Sequence, residues 1–409
     1  MRRVVVTGMG VVSSLGLTVQ SAFERLKTLK NCVKVSDDLK TYKGLQSHLW
    51  APAGWTRPER YTRKVIRTMS PVSQMALDAT EQALAQAGLA EDPILKSGRC
   101  GVAYGSCAGG VEANADFASI LMSHEVRNVT SSTYIKMMPQ TCVVNLSVHF
   151  GTTGRILPTG TACTSGSLAI GEAAEAIRYG KQDVMIAGGA EEFSVTQVAV
   201  FDTLFATSRK NDAPEATPRA FDVNRDGLVI GEGAATLILE EREHALARGA
   251  TILAELVGFG YNSDGRHVTQ PNAETMGRAL TLALEDAGLP PEAIGYVNAH
   301  GTATDLGDVA ECTAMASAFG AVRPPVSTIK GYTGHTLGAC GALEAAMTIE
   351  MMRDGWFAPN LNLETPDPKC GEHDFIVGDG RKIETDSVMT NNFAFGGINT
   401  SLVFRRVAV

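Results

Sequence analysis

The stretch GTACTSGSLAIGEAAEAIRYG, residues 160–180, places a cysteine directly before a run of small residues. Apolar residues recur at helical spacing from Gly166 to Ile177, which predicts a helix that Gly180 ends. Cys163 would then lie on the turn at the helix N-terminus, where the helix dipole favours a thiolate. Most free cysteines are buried structural residues. This stretch by itself leaves a structural cysteine and a catalytic nucleophile both open.

The length and composition of the chain limit the class of protein to which it can belong. At 409 residues it is longer than one typical core supports, so we expect two domains or one large double unit. Its hydrophobic content of 44% is typical of a globular protein. No apolar run approaches the roughly 18 residues of a membrane span. The net charge of −8 excludes a general attraction to nucleic acid. We therefore expect no membrane span and no nucleic-acid partner.

The eight cysteines are scattered along the chain, and none forms a C-x-x-C pair, so we expect no metal site. A chain with a large core does not need a disulfide framework, and the cysteines therefore indicate a reducing, cytoplasmic location. The first residues, MRRVVVTGMG, resemble a signal peptide, but glycines interrupt the apolar run and no A-x-A site follows. The prediction for this segment is a buried strand from Arg3 to Thr7.

The order of elements indicates a duplicated α/β fold, because strand-like runs alternate with helical ones. A helix precedes a strand in each half: helix 70–88 before strand 100–106, and helix 273–289 before strand 294–300. Two further pairs of segments are alike: 163–177 with 335–349, and 183–193 with 386–397. These repeats predict two similar halves, residues 1–250 and 251–409, with Cys163 and His335 at matching places.

Two histidines differ from the others in their surroundings. His300 ends a predicted strand, and His335 precedes a predicted helix. Both are followed or preceded by glycine, which lets a substrate approach the backbone closely. A single histidine is more often structural than catalytic, but loops on a rigid scaffold are where catalytic groups concentrate. His300 and His335 are therefore candidate catalytic residues, and Lys330 lies within reach of His335.

Six motifs follow one another along the chain in a fixed order: TACTSG at 161–166, NRDGLVIGEGA at 224–234, SDGRHVTQP at 263–271, NAHGTATDLGDVAE at 298–311, KGYTGH at 330–335 and NNFAFGGIN at 391–399. Through them the chain resembles the β-ketoacyl-acyl carrier protein synthases of the FabF-like elongating type. The resemblance implies the thiolase fold, with two duplicated halves in a five-layer αβαβα arrangement. It also implies a dimer.

The same resemblance implies the reaction. An acyl group carried on the phosphopantetheine of an acyl carrier protein is transferred to Cys163, which is covalent catalysis by an activated thiol. Malonyl-acyl carrier protein then loses CO₂, and His300 and His335 stabilise the enolate that attacks the acyl-cysteine. This decarboxylative Claisen condensation gives a β-ketoacyl chain, in fatty-acid or polyketide elongation, with no tightly bound cofactor.

Further residues receive roles from the resemblance only. The backbone N–H groups of Cys163 and Phe395 would form the oxyanion hole, and Phe395 would also act as a gate. Lys330 would orient His335 and disfavour its imidazolium form. Glu311 would be structural support. The pantetheine arm would be held by three threonines: Thr302, Thr304 and Thr269.

Related enzyme classes differ at the same motifs. Thiolases carry a second cysteine in the last glycine-rich turn, and residues 391–399 contain none. Initiating synthases use Cys-His-Asn, whereas the third position here is His335. A non-catalytic or chain-length-determining partner of a heterodimeric ketosynthase is the alternative function, although chain-length factors lack the nucleophile. Besides the expected homodimer, a heterodimer with such a chain-length factor stays open.

Two positions depart from the pattern of this class. Asp305 replaces the usual proline after HGTAT, which leaves the contacts of the neighbouring threonines open. Ala108 stands where typical fatty-acid elongators carry a bulky apolar residue that lines the acyl pocket. These departures favour a specialised substrate such as a polyene or another polyketide chain, while ordinary fatty-acid elongation stays open.

Acyl carriers are acidic, so an acidic enzyme needs local basic residues to attract one. The segments RYTRKVIR and SRK supply such residues. The competing interpretation is an ordinary solvated face. The candidate docking residues are Arg63, Lys64, Arg67, Arg209 and Lys210.

Overall fold

A computed structural model describes residues 1–127 and 129–407 of the chain. Its α-helices are α1 (Val19–Leu26), α2 (Pro71–Ala87), α3 (Val111–Ser123), α4 (Ser131–Met137), α5 (Thr141–Phe150), α6 (Ser165–Arg178), α7 (Val195–Thr203), α8 (Arg242–Ala247), α9 (Ala273–Ala287), α10 (Asp305–Phe319), α11 (Lys330–Thr333) and α12 (Cys340–Asp354). Among the described residues, no helix combines the length and apolar character needed to cross a bilayer.

The strands are β1 (Val4–Ser13), β2 (Lys34–Val35), β3 (Leu49–Ala51), β4 (Cys100–Gly105), β5 (Ile156–Pro158), β6 (Val184–Glu191), β7 (Ile230–Gly231), β8 (Gly233–Glu241), β9 (Ala254–Ser263), β10 (Tyr296–Asn298), β11 (Pro325–Ser327), β12 (Trp356–Phe357), β13 (Asp374–Phe375), β14 (Arg381–Lys382), β15 (Ser387–Ala394) and β16 (Ile398–Arg405). The main sheet has the strand order β13-β11-β10-β15-β16-β9-β1-β8-β6-β4-β5. Strands β1 and β9 join its two parts through the pairs Val5–Glu255 and Val6–Ala254.

The two parts of the sheet repeat one topology, which confirms the predicted duplication. Strands β1, β8, β6, β4 and β5 lie side by side, with antiparallel, antiparallel, parallel and parallel pairing. Strands β9, β16, β15, β10 and β11 repeat this order and these directions. The predicted boundary at residue 250 falls in the loop between α8 and β9, and it stays a prediction.

Five layers follow from the helix packing. Helix α2 packs on β1 and β8, α9 packs on β9 and β16, and α6 and α12 pack against each other between the two parts of the sheet. Both central helices are buried over most of their length, as expected for helices without a polar face. They cross at two glycines. A Cβ on Gly166 would lie 2.8 Å from the Ala342 nitrogen, and one on Gly341 would lie 2.6 Å from the Ser167 nitrogen. The small residues that follow Cys163 therefore serve this close approach.

The first strand is longer than predicted. It runs from Val4 to Ser13, because its glycines pack against α2 instead of ending it. A Cβ on Gly10 would lie 1.9 Å from the Ala79 carbonyl oxygen. The predicted strand over 294–300 is shorter, since β10 covers only Tyr296–Asn298.

The predicted match between Cys163 and His335 is wrong by three residues. A 3₁₀ turn precedes each central helix, at Ala162–Thr164 before α6 and at Leu337–Ala339 before α12. Each turn begins with a residue in the left-handed region, with φ of 50° at Ala162 and 46° at Leu337. Cys163 is therefore equivalent to Gly338. The sequence comparison aligned Cys163 three residues too early, with His335, because small residues occur at many spacings in both segments.

Candidate active site

Cys163 lies on the 3₁₀ turn that precedes α6, where it is 5% exposed. Burial raises the pKa of its thiol to about 12, because removal from water penalises the thiolate more than Lys330 and the backbone stabilise it. The expectation of a thiolate at the helix N-terminus is therefore wrong for the free protein. The Sγ atom lies 2.9 Å from Nε2 of His335, so a proton acceptor is already in contact with the thiol.

The backbone of His335 is fixed next to β7. Its N–H donates to the carbonyl of Val229 at 2.7 Å, and its carbonyl accepts from the N–H of Gly231 at 2.9 Å. Burial and the nearby charge of Lys330 hold the pKa of His335 well below its usual value. The imidazole is thus neutral at physiological pH and can accept a proton. Its Nδ1 atom is buried without a hydrogen-bond partner among the described residues, so no neighbour fixes the tautomer.

His300 follows β10 and is held by Glu311 of α10. The carboxylate accepts from the N–H of His300 at 2.7 Å and from that of Gly301 at 2.8 Å, as expected for a supporting residue. Nδ1 of His300 lies 3.2 Å from Nζ of Lys330. An ammonium group can only donate, so Nδ1 accepts and Nε2 carries the proton. Burial, Lys330 and His335 lower the pKa of His300 well below its usual value. His300 is therefore a neutral hydrogen-bond donor.

Lys330 contacts His300, not His335 as predicted: its Nζ lies 3.2 Å from Nδ1 of His300. Its Nζ forms an ion pair with Glu344 of α12, and both side chains are 1% exposed. Nδ2 of Asn392 donates to the other Glu344 oxygen at 2.7 Å. The charge of Lys330 still lowers the pKa of His335, so that part of the expectation agrees with the structure. The sequence analysis missed Glu344 and Asn392, although an acid among the small and apolar residues of the first half of α12 is itself a signal.

Breaking this pair should destabilise the fold. Lys330→Met leaves Glu344 as an uncompensated buried charge, so we expect the free energy of unfolding to fall by about 3–5 kcal/mol. Denaturant unfolding measures the loss. The double variant Lys330→Met/Glu344→Gln removes both charges and keeps an oxygen for Asn392, so it should recover much of the stability. Equal losses in the single and double variants would contradict this origin.

A cavity of about 500 Å³ leads from the surface to the nucleophile. It brings together most of the residues assigned from the sequence: Cys163, His300, His335, Phe395, Thr269, Thr302 and Thr304. The hydroxyls of Thr302 and Thr304 lie 3.0 Å apart, and Ala303 between them has a φ of 63°. This backbone conformation is costly for a residue other than glycine and tends to occur at functional sites. The ring of Phe395 packs on Phe201, with centroids 5.1 Å apart.

Asp305 has a partner at the mouth of this cavity. Its carboxylate lies 3.2 Å from the guanidinium of Arg225, a side chain that is 2% exposed. Arg225 also contacts Asp367 at 2.6 Å and donates to the carbonyl of Thr304 at 3.2 Å. Asp305 begins α10, where a negative charge is favourable. Arg225 therefore holds the turn beside Thr304 through the backbone carbonyls of Thr304 and Asp305, and the exposed carboxylate of Asp305 adds an ion pair.

Ala108 is not among the described residues that line this cavity. Its N–H donates to the buried carboxylate of Glu191 at 3.3 Å, as does that of Cys107 at 2.8 Å. Glu191 also accepts from the N–H of Gly338 at 3.1 Å and so connects the two halves next to the nucleophile. The sequence analysis missed Glu191, because the N–H groups that donate to its carboxylate belong to two segments far away in the sequence. Carbonyl groups of Met137 and Met138 pack against Gly109 within the same chain.

The candidate docking residues divide into two groups. Arg209 and Lys210 lie beside the cavity: the Arg209 guanidinium is 5.4 Å from the ring of Phe205, and Nζ of Lys210 is 3.3 Å from Asp226. The remaining residues of the set are exposed on the segment before α2 and do not line the cavity: Arg63, Lys64 and Arg67.

Comparisons with known proteins identify the family of the chain. The family model described as "Beta-ketoacyl synthase, N-terminal domain" matches residues 1–245, and that described as "Beta-ketoacyl synthase, C-terminal domain" matches residues 253–364. The chain is 37% identical to 3-oxoacyl-[acyl-carrier-protein] synthase 1 of Escherichia coli (strain K12) over the whole of both chains. It is 39% identical to 3-oxoacyl-[acyl-carrier-protein] synthase 2 of Vibrio cholerae serotype O1 over 99% of each.

Solved structures give the same result. The crystal structure of a β-ketoacyl synthase from Burkholderia phymatum STM815 is 57% identical, with a TM-score of 0.98 over the whole of both chains. The ishigamide ketosynthase/chain length factor is 28% identical, with a TM-score of 0.91 over the whole of both chains. The thiolase-type fold expected from the motifs is confirmed, and the chain belongs to the β-ketoacyl synthase family.

Proposed function

We propose that Cys163, His300 and His335 carry out the reaction of this β-ketoacyl synthase, the decarboxylative Claisen condensation of an acyl-enzyme thioester with a malonyl thioester. The observation that supports this assignment is their convergence at the inner end of one cavity. Sγ of Cys163 contacts Nε2 of His335 at 2.9 Å, and the rings of His300 and His335 lie 5.3 Å apart.

In the acylation step, neutral His335 accepts the thiol proton of Cys163. The thiolate attacks the carbonyl carbon of the acyl thioester, and the oxyanion accepts hydrogen bonds from the backbone N–H groups of Cys163 and Phe395. The tetrahedral intermediate collapses, the bond to the carrier's sulfur breaks, and that sulfur leaves with the proton held by His335. Acyl-Cys163 is the product, and His335 is again neutral.

In the condensation step, the malonyl thioester loses CO₂, and the electron pair of the broken C–C bond forms an enolate. Nε2–H of His300 donates to the enolate oxygen, and His335 donates as well once its proton is on Nε2, since no neighbour fixes its tautomer. The enolate carbon attacks acyl-Cys163, a C–C bond forms, and the C–S bond breaks to release the thiolate. Decarboxylation supplies the carbanion, so the step needs donors and no strong base.

Both substrates are proposed to arrive on the phosphopantetheine of an acyl carrier protein. The hydroxyls of Thr302, Thr304 and Thr269 line the cavity through which such an arm would reach Cys163. A type II PKS acyl-carrier protein has been solved in complex with its ketosynthase, a structure that is 29% identical to this chain with a TM-score of 0.88. The chemistry requires no tightly bound cofactor. A reducing cytoplasmic compartment would keep the thiol of Cys163 free.

We further propose a dimer that forms through α3, α4 and the edge strand β5. Exposed apolar side chains on α3 and α4 include Leu121, Met122 and Tyr134, and β5 is the last strand of the main sheet in the part of the chain that the structure describes. Such patches mark interfaces. A second copy is the proposed partner. The ketosynthase ApeO in complex with its chain length factor ApeC, 25% identical with a TM-score of 0.81, keeps a heterodimer as the alternative assembly.

The isolated chain should form β-ketoacyl product from an acyl-carrier and a malonyl-carrier. This experiment distinguishes the proposal from the alternative of a non-catalytic partner, which would require a second ketosynthase chain for any turnover. Intact-mass measurement of acyl-Cys163 over a panel of acyl-carriers would then show whether the pathway is that of fatty acids or of a polyketide. Absence of malonyl-dependent turnover by the isolated, folded chain would contradict the proposal.

Charge reversal tests whether the basic segment before α2 binds the acyl carrier protein. We expect Arg63→Glu/Arg67→Glu to raise KM for carrier-bound substrate by about 10-fold, because basic residues that attract an acidic carrier act mainly on encounter. The salt dependence of KM should weaken. Reaction with a small pantetheine thioester should not change. The exposed pair Lys181→Glu/Lys382→Glu carries the same change of charge and is the control. Equal losses with both substrates would indicate damage to the fold instead.

A larger side chain at Ala108 should shorten the accepted primers. Ala108 lies outside the cavity lining, but it follows Cys107, which packs on the apolar cluster around Cys163, and we propose that a long acyl chain on Cys163 extends towards it. Overfilling a packed site costs about 1–3 kcal/mol, so we expect Ala108→Ile to slow long primers by about 10-fold or more and to spare short ones. Competition among acyl-carriers of increasing length measures the profile. An unchanged profile would mean that neighbours such as Met137 and Met138 already close this space, and that Ala108 does not set chain length.

A further inference from the structure

The three side chains at the inner end of the cavity also form a set of metal ligands. One donor atom from each of Cys163, His300 and His335 lies within 4.8 Å of the other two, and all three residues are buried. The sequence analysis expected no metal site because it considered ligands close together in the chain. These three converge from separate loops, so their spacing along the sequence carries no such signal.

The second buried group with this geometry is already occupied by a cation. His300, Cys340 and Glu344 bring donor atoms within 4.8 Å of one another, but Nζ of Lys330 pairs with Glu344 and contacts Nδ1 of His300. A metal ion there would have to displace a buried ammonium from the carboxylate with which it pairs. Lys330 also occupies Nδ1 of His300, which leaves Nε2 as the ring nitrogen available on the cavity side.

We propose that Cys163, His300 and His335 bind one Zn²⁺ ion, which inhibits the enzyme by occupying its nucleophile. Thiolate and imidazole are the ligands that Zn²⁺ prefers, and three protein ligands with an open fourth position are typical of accessible zinc sites. Zn–S and Zn–N bonds place tetrahedral ligand atoms about 3.3–3.6 Å apart. The Sγ–Nε2 distance of 2.9 Å would therefore open by only a fraction of an ångström.

Access and competition follow from the same geometry. The cavity of about 500 Å³ reaches Cys163 from the surface, so an ion can enter and a water molecule can be its fourth ligand. Binding forms a Zn–S bond at the atom that an acyl group would occupy and releases two protons to solvent, one from the thiol of Cys163 and one from Nε2 of His300. As Nε2 binds the ion, Nδ1 takes a proton from Nζ of Lys330, so the ring of His300 stays neutral. Acylation and zinc binding therefore exclude each other. Lys330 gives up its charge on binding, so the buried carboxylate of Glu344 balances part of the charge of the ion.

Titration of the full-length protein with ZnCl₂, followed by calorimetry, tests the site without any substrate and so does not depend on the reaction. We expect one ion per chain at this site. Cys163→Ala and His335→Ala should each lower the affinity by more than the 10–100-fold that loss of a supporting residue costs. Cys100→Ala, which removes a buried thiol from the apolar cluster around α2, outside the cavity lining, should bind like the parent. Circular dichroism verifies that each variant is folded.

Co²⁺ provides a direct test of the sulfur ligand. Bound Co²⁺ should give a near-ultraviolet thiolate-to-metal absorption band that is absent in Cys163→Ala and absent after Cys163 is acylated. Zn²⁺ should inhibit turnover at the concentration at which it binds, and a chelator should reverse the inhibition. Equal zinc affinity of the parent and folded Cys163→Ala, or a cobalt spectrum without a thiolate band, would overturn the proposal. Active enzyme that binds no zinc would overturn it and leave the proposed reaction intact.

Discussion

We expect Cys163→Ala to abolish condensation, with a loss of about 10⁴-fold or more, because removal of a covalent nucleophile leaves only substrate binding and the oxyanion hole. No acyl-enzyme can form, so the measurement is product formation together with the intact mass of the protein after incubation with acyl-carrier. The parent should gain the mass of one acyl group, and the variant none. The fold should persist, because the change removes one atom from a side chain on a turn.

Cys107→Ala is the matched control for this variant. It also removes a thiol beside the active site, but the backbone N–H through which Cys107 binds Glu191 is unaffected. This variant should acylate at Cys163 like the parent. Continued β-ketoacyl formation by Cys163→Ala would mean that another residue is the nucleophile. This result would contradict the assignment of the whole site.

The second large effect concerns the two histidines. We expect His300→Ala and His335→Ala each to lower malonyl decarboxylation by about 10²–10³-fold, the usual loss when one donor to a developing negative charge is removed. Release of CO₂ measures this step. The two variants should differ in acylation. His335→Ala also removes the base that contacts Sγ of Cys163 at 2.9 Å, whereas His300→Ala should largely spare acylation.

The pH dependence gives an independent check. Burial and Lys330 lower the pKa of both histidines well below the usual value, so both stay neutral as the pH falls from about 8 to about 6. CO₂ release should therefore not decline across this range, whereas a histidine of ordinary pKa would begin to protonate. Near-normal CO₂ release from either alanine variant would contradict the roles given to His300 and His335.

Local sequence patterns predicted secondary structure well where the residues of a single helix or turn determine it. The helix over 166–177 is α6, with its start and end displaced by a single residue each. Helix 70–88 is α2, and helix 273–289 is α9. The duplicated topology was also predictable, because the same succession of helix and strand appears twice. Glycines misled the strand predictions, since in β1 they permit close packing and do not interrupt the strand.

Contacts between distant segments were less accessible to sequence reasoning. The resemblance assigned Lys330 to His335, five residues further along the chain, yet its ammonium contacts His300 and pairs with Glu344. Proximity along the chain fails here because the groups that Lys330 contacts lie 30 and 14 residues away in the sequence. Glu191 was missed for the same reason: the N–H groups it binds belong to segments 84 and 147 residues away.

The sequence by itself determined the class of chemistry: a cysteine before a buried small-residue helix, two histidines at element ends, and motifs in the order of one family. Only the tertiary structure decided the protonation states of the cysteine and the histidines. Cys163 and His335 are 172 residues apart, and their contact, burial and distance from Lys330 arise when the two halves pack. Desolvation depends on all surrounding residues at once, so it raises the pKa of Cys163 and lowers that of His335 in a way that no local pattern records.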